Sequence, residues 1–133
     1  MSLENISIAE ETGTFFTPAV EFNAATGICR IEGESYLEDT FNFYAKLREW
    51  VDSFFNSGKN AVELHFKFRY FNTSSSRAIL DLLKTLKKYQ ESGKEVVVKW
   101  HYPEPDDIEM MMEGEDFESD CDITFEYIPY EGE

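Results

Sequence analysis

Glycine is scarce, with seven residues in 133. None falls in the clustered spacing that lets a backbone loop wrap phosphate, so a nucleotide-binding loop is not expected. Histidine is scarcer. His65 and His101 are the only two, each on the more polar side of a strand-like pattern, where a surface or edge imidazole is the expected fate. There is no HExxH and no GxSxG elbow, which leaves little material for hydrolytic catalysis. Cys29 and Cys121 show neither CxxC nor Cys/His spacing and read as ordinary thiols of a reducing cytosol. No apolar run approaches membrane-spanning length, and the opening residues, MSLENISIAEE, have neither the basic start nor the apolar core of a signal peptide. A cytoplasmic, non-enzymatic chain without cofactor, metal or membrane insertion is expected.

Basic residues are also few: 12 Lys and Arg face 27 Asp and Glu, for a net charge of −15. The imbalance is local. Residues 103–133 hold 13 of the carboxylates and no Lys or Arg, so the preceding body carries 14 acids against 12 bases. Nucleic acid and anionic membrane are polyanions and are disfavoured as partners, whereas a basic or mixed protein surface is not. The acidic segment lacks the spacing of an EF-hand loop.

What is present is a core. Hydrophobic residues make up 42% of the chain and aromatics 16%, spread throughout, as in one folded domain over 1–133. Leu3, Ile6 and Ile8 suggest a short first strand. Phe15 to Phe22, interrupted by Pro18, and Ile28 to Glu32 suggest a β-hairpin turning at Asn23 to Gly27. Glu34 to Asn56 has helical spacing at Leu37, Phe41, Tyr44, Leu47, Val51, Phe54 and Phe55, with Ser35 or Asp39 as cap and Ser57-Gly58 as stop. Phe43 and Trp50 lie off that stripe: either the apolar face is broad, the expected case, or one of these rings is presented to a partner.

From Val62 the period is two. Val62, Leu64, Phe66, Phe68 and Tyr70 take one face of a strand spanning Ala61 to Phe71, and Glu63, His65, Lys67, Arg69 and Phe71 the other. It then becomes helical, through Ile79, Leu82, Leu83, Leu86 and Tyr89, to about Ser92, where Gly93 ends the helix. Lys84, Lys87 and Lys88 form its solvated face. Glu95 to Tyr102 returns as a strand, completing a βαβ unit. Asp106 to Asp116 reads as a short helix containing Met110-Met111-Met112, and Ile123 to Tyr130 as a final strand. The fold class is α/β, a mixed sheet of five or six strands with an N-terminal β-hairpin and helices mainly on one face.

Where strand gives way to helix the chain reads Asn72-Thr73-Ser74-Ser75-Ser76. One such side chain caps the first turn, which alone accounts for the run, and which residue does so is open. Alternatively one hydroxyl is a phosphorylation site, because a helix N-terminus welcomes phosphate and Arg69 and Arg77 flank the run.

This turn resembles the Asp-Ser-Ser-Gly phosphorylation turn of anti-anti-sigma factors, the STAS fold, with Asn72 in the Asp position, Thr73 in that of the modified serine and Ser75 in that of the glycine. GICRIEGESYLED, YFNTSSSRAILDLL and DDIEMMMEGEDFES together resemble the SiaC family of STAS-like regulatory phosphoproteins over nearly the whole chain. The resemblance implies a bacterial partner-switch protein phosphorylated on Thr73 by a histidine-kinase-like Ser/Thr kinase and reversed by a PP2C-type phosphatase. Asn72, Ser74, Ser75, Ser76, Arg77 and Arg69 would surround the site. It further implies that the unmodified form binds and activates a diguanylate cyclase, raising cyclic di-GMP. Two readings compete: a phosphorylation-independent interaction module docking through the acidic segment 104–120, and a small enzyme joining a histidine to a carboxylate in a dry pocket.

Overall fold

A computed structural model describes residues 3–104 and 108–131. Pro105, Asp106 and Asp107 lie outside them, as do Met1, Ser2 and the last two residues. The elements run β1 (Ile6–Ile8), β2 (Ala19–Phe22), β3 (Ile28–Ser35), α1 (Thr40–Asn56), β4 (Ala61–Phe71), α2 (Thr73–Glu91), β5 (Glu95–Glu104), α3 (Ile108–Cys121) and β6 (Phe125–Glu131). They build one six-stranded sheet whose spatial order is the chain order. β1, β2 and β3 pair antiparallel, and β3, β4, β5 and β6 pair parallel. Each parallel pair is bridged by one helix, as parallel pairing requires. The sheet is mixed, with the expected β2–β3 hairpin at the front; Pro18 falls just before β2, where its missing N–H costs no ladder bond.

The three helices share one face of the sheet. Val20, Phe22, Cys29, Ile31, Val62, Leu64, Phe66, Phe68, Val98 and Trp100 point into it and are almost fully buried against Leu47, Phe54, Ile79, Leu82 and Leu86 from the helices. Cys29 and Cys121 are both free and buried, and burial pushes both thiols up. Trp50, off the expected stripe, is buried and its indole N–H donates to the Glu4 carbonyl at 2.8 Å; Phe43 packs at the core's margin.

Several expectations shift. The helix predicted from Glu34 starts at Thr40, with Asp39 as its cap. Glu34 and Ser35 stay in β3 because they pair with Tyr70 and Phe71, which gives their backbone groups partners that a helix start would leave open. Tyr70, expected inside, is 49% exposed, and Phe71 takes its place against Phe68, Trp100 and Phe117. The cause is a bulge: β3 register passes from Gly33↔Phe68 to Glu34↔Tyr70, so Arg69 is the extra residue and the alternation changes phase after it. Finally, α3 continues past Asp116 to Cys121, because Phe117 and Cys121 are buried. Lys87, expected on a solvated face, donates instead to the Asp122 carbonyl at 2.8 Å.

Among the described residues the opposite face of the sheet carries no helix, but it is not simply solvated. His65, expected at the surface, is 8% exposed. One ring nitrogen lies 2.6 Å from a Glu63 carboxylate oxygen and the other 3.0 Å from Nε2 of His101. Parallel register sets Glu63 and His65 on β4 beside Lys99 and His101 on β5, a juxtaposition that alternation within one strand does not reveal. The row is a hydrogen-bonded strut on an open face. Partial burial, then the nearby His65, Arg30, Lys67 and Lys99, lower the His101 pKa from 6.5 to about 4. The unfolded chain therefore binds more protons between pH 6.5 and 4, so stability is retained above that window and falls as pH drops through it. Urea unfolding followed from pH 7 to 5 should show this loss in the wild type and a flatter profile in His101→Asn; parallel profiles would refute it.

Candidate functional site

At the β4–α2 joint the hydroxyl run separates into different jobs. Asn72 is the cap: its backbone is extended (φ −87°, ψ 179°) and its side-chain oxygen accepts from the Ser75 N–H at 3.0 Å. Ser75 is completely buried, where its hydroxyl meets the Ser35 carbonyl at 2.9 Å and the Ser35 hydroxyl at 2.8 Å; the latter also lies 2.8 Å from the Tyr44 hydroxyl. This chain of hydroxyls ties the end of β3 to both helices. Ser74 is exposed, 3.3 Å from Asn72 Oδ1 and 3.2 Å from Thr40 Oγ1. Ser76 is half-buried.

Thr73 differs from all of them. It is the first residue of α2, it is exposed, and its hydroxyl has no hydrogen-bond partner among the described residues. It sits where the helix presents unpaired backbone N–H groups and the positive end of its dipole. A hydroxyl there can receive a phosphoryl group without breaking a contact, whereas Ser75 cannot be reached.

Thr73 and Ser74 also line a groove of about 420 Å³ between α1 and α2, together with Thr40, Phe41, Arg48, Arg77, Ala78 and Asp81. Its origin lies in side-chain volume. Toward their C-terminal ends the helices are closed by Phe55 stacked on Tyr89, with ring centroids 4.6 Å apart, and by the Tyr89 hydroxyl donating to Asp52 at 2.6 Å. Toward the N-terminal ends Ser74 and Ala78 are too small to fill the gap. Phe41 stands at this opening, 70% exposed, with the Arg48 guanidinium 5.6 Å from its ring centroid.

The structure thus gathers Asn72, Thr73, Ser74, Ser75, Ser76 and Arg77 in one turn. Arg69 does not line the groove; it is paired with Glu10. Arg48, reaching from α1, is the second arginine there. Arg48 carries no signal of its own in the sequence, and Phe41, expected on the core stripe of α1, is instead exposed at the groove. Phe41 has the helical spacing of a core residue, and only the seven-residue separation from Arg48 hints that the two share a helix side. In the acidic segment, Met110, Gly114 and Phe117 are buried against the sheet while Met112 is exposed, so much of its apolar content serves the core. Among the described residues no cluster of three or more His, Cys, Asp or Glu is placed to hold a metal ion, and no helix is long and apolar enough to cross a membrane.

Comparison with known proteins agrees with this architecture. An uncharacterised protein of Pseudomonas aeruginosa (strain UCBPP-PA14) is 31% identical over 113 residues, covering 85% of this chain and 89% of that protein. The crystal structure of apo-SiaC from Pseudomonas aeruginosa superposes with a TM-score of 0.81 at 30% identity, covering 94% of this chain and 98% of that one. A chain in the crystal structure of diguanylate cyclase SiaD in complex with its activator SiaC, from the same organism, gives 0.81 at 28% identity, over 92% of this chain and all of that one. With residues 9–130 also matching the sequence profile of the SiaC family regulatory phosphoproteins, the chain belongs to that family.

Proposed function

We propose that this chain, acting as one cytoplasmic domain over 1–133, is a phosphorylation-switched activator of a diguanylate cyclase. In its unmodified form it docks the cyclase through the α1–α2 groove. A Ser/Thr kinase adds phosphate to Thr73 and prevents docking, and a PP2C-type phosphatase restores it. One observation carries the reading: Thr73 alone in its turn combines an exposed, unpartnered hydroxyl with a place on the rim of a groove that also displays Phe41. The relative whose structure is that of an activator bound to SiaD supports the choice of partner.

The physics of the block is local. Phosphate adds about −1.5 to −2 charges and three acceptor oxygens, which a docking surface must desolvate or repel. A penalty of about 3 kcal/mol would lower affinity more than a hundredfold. Asn72 and Ser75 keep their contacts, so the fold is unchanged. The acidic-segment reading is less favoured because Met110 and Phe117 are committed to the core.

The test is intact-mass spectrometry with peptide mapping after incubation with a kinase encoded beside this chain and ATP. One phosphoryl group on Thr73, absent in Thr73→Ala, is the expected result. Stoichiometric modification of Thr73→Ala, or none of the wild type by a kinase active on another substrate, would sink the assignment.

A further inference from the structure

We infer that Arg48 and Arg77 form a receptor for the phosphate on Thr73, and that its arrival draws Arg48 off the Phe41 ring. This rests on Thr73 being the modified residue and adds how the modified state is held. Arg77 lies four residues after Thr73 on α2 and lines the same groove, and helical side chains lean toward the N-terminus, so its guanidinium is within reach of the turn that carries the hydroxyl. Arg48 is half-buried on α1 and lines the same groove from the other side. Neither arginine forms an ion pair among the described residues. That is informative in a chain with 27 carboxylates and 12 bases. Asp81 lines the groove too, yet closes on neither guanidinium.

Two unpaired guanidiniums from different helices therefore share a groove rim with one free hydroxyl and a helix N-terminus. Their combined charge matches a dianionic phosphate, and each planar fork can donate two hydrogen bonds to its oxygens. The contact Arg48 gives up, over the exposed Phe41 ring, is the weaker one. The switch then acts in two ways: the rim fills with a held phosphate, and the ring loses its cation. A planar, singly charged glutamate at position 73 reproduces this poorly.

The experiment uses the full chain with phosphothreonine installed at position 73 by codon suppression, so that it does not depend on any kinase. Phosphorus NMR titration reads the second phosphate pKa, which is about 6 when unperturbed. We expect it to lie about half a unit or more lower in the wild-type background, because adjacent opposite charge favours the dianion. Arg48→Gln and Arg77→Gln should each move it back up by a few tenths of a unit. The Lys replacements should retain most of the shift. Arg77 is exposed and Arg48 only half-buried at the groove rim, so circular dichroism should be unchanged throughout. An identical titration in the wild type and in the double Gln variant would overturn the receptor, leaving the phosphate held by the helix terminus alone. Failure of the kinase to modify Thr73 would overturn the functional reading and leave this result standing.

Discussion

On the docking proposed above, replacing Phe41 by alanine is expected to weaken binding of the cyclase about a hundredfold while leaving the melting temperature where it was. In the free chain the ring is 70% exposed, so truncating it removes little core burial and opens no cavity. Against a partner the same ring is the largest apolar group at the groove mouth. Full burial of a phenylalanine is worth about 1.5–3 kcal/mol, and central aromatic anchors cost about 2 kcal/mol or more when truncated. About 2.7 kcal/mol corresponds to a hundredfold change. Calorimetric titration of the cyclase, paired with thermal unfolding of the variant alone, separates the two effects. Unchanged affinity would place docking elsewhere, and a large fall in melting temperature would show the ring to be structural.

Gly114→Ala should destabilise the fold by about 1–2 kcal/mol, although alanine is the better helix former. A methyl group there would come within 2.6 Å of Trp100 Cδ1 and 2.7 Å of its Cγ and Nε1. The indole cannot retreat easily. It is fully buried, it donates to the Met110 carbonyl at 2.8 Å, and it packs against Phe66, Phe117 and Phe125. Overpacking of this kind costs about 1–3 kcal/mol, more than the roughly 0.5–1 kcal/mol that removing a helical glycine returns. Urea unfolding measures the net sign. In a Trp100→Leu background the penalty should shrink or reverse, because the colliding ring is gone; an equal penalty in both backgrounds would contradict the steric cause.

Both predictions turn on tertiary features, and the division between what was legible and what was not has a consistent cause. Local periodicity is a property of one segment. Val62, Leu64, Phe66 and Phe68 alternate, Ile79, Leu82, Leu83 and Leu86 repeat helically, and Ser92-Gly93 stops α2, so β4, α2 and their joint could be read directly. The turn that holds Thr73 was found the same way, by its change of period. The phase slip at Arg69 could not be, because it arises from the register with β3.

The same holds for the partners of Thr73. By itself the sequence determined the order and type of nearly every element, the sheet's one covered face and the position of the hydroxyl run, since backbone dihedral preferences and burial periods act over a few residues. Only the tertiary structure decided that Asn72 caps, that Ser75 is sealed against Ser35, that His65 meets His101, and that Phe41 and Arg48 face Thr73 across an open groove. Each of these is set by side chains on different elements meeting in space, and the volumes that leave the groove open at Ala78 yet close it at Tyr89 are complementary only once α1 and α2 lie side by side.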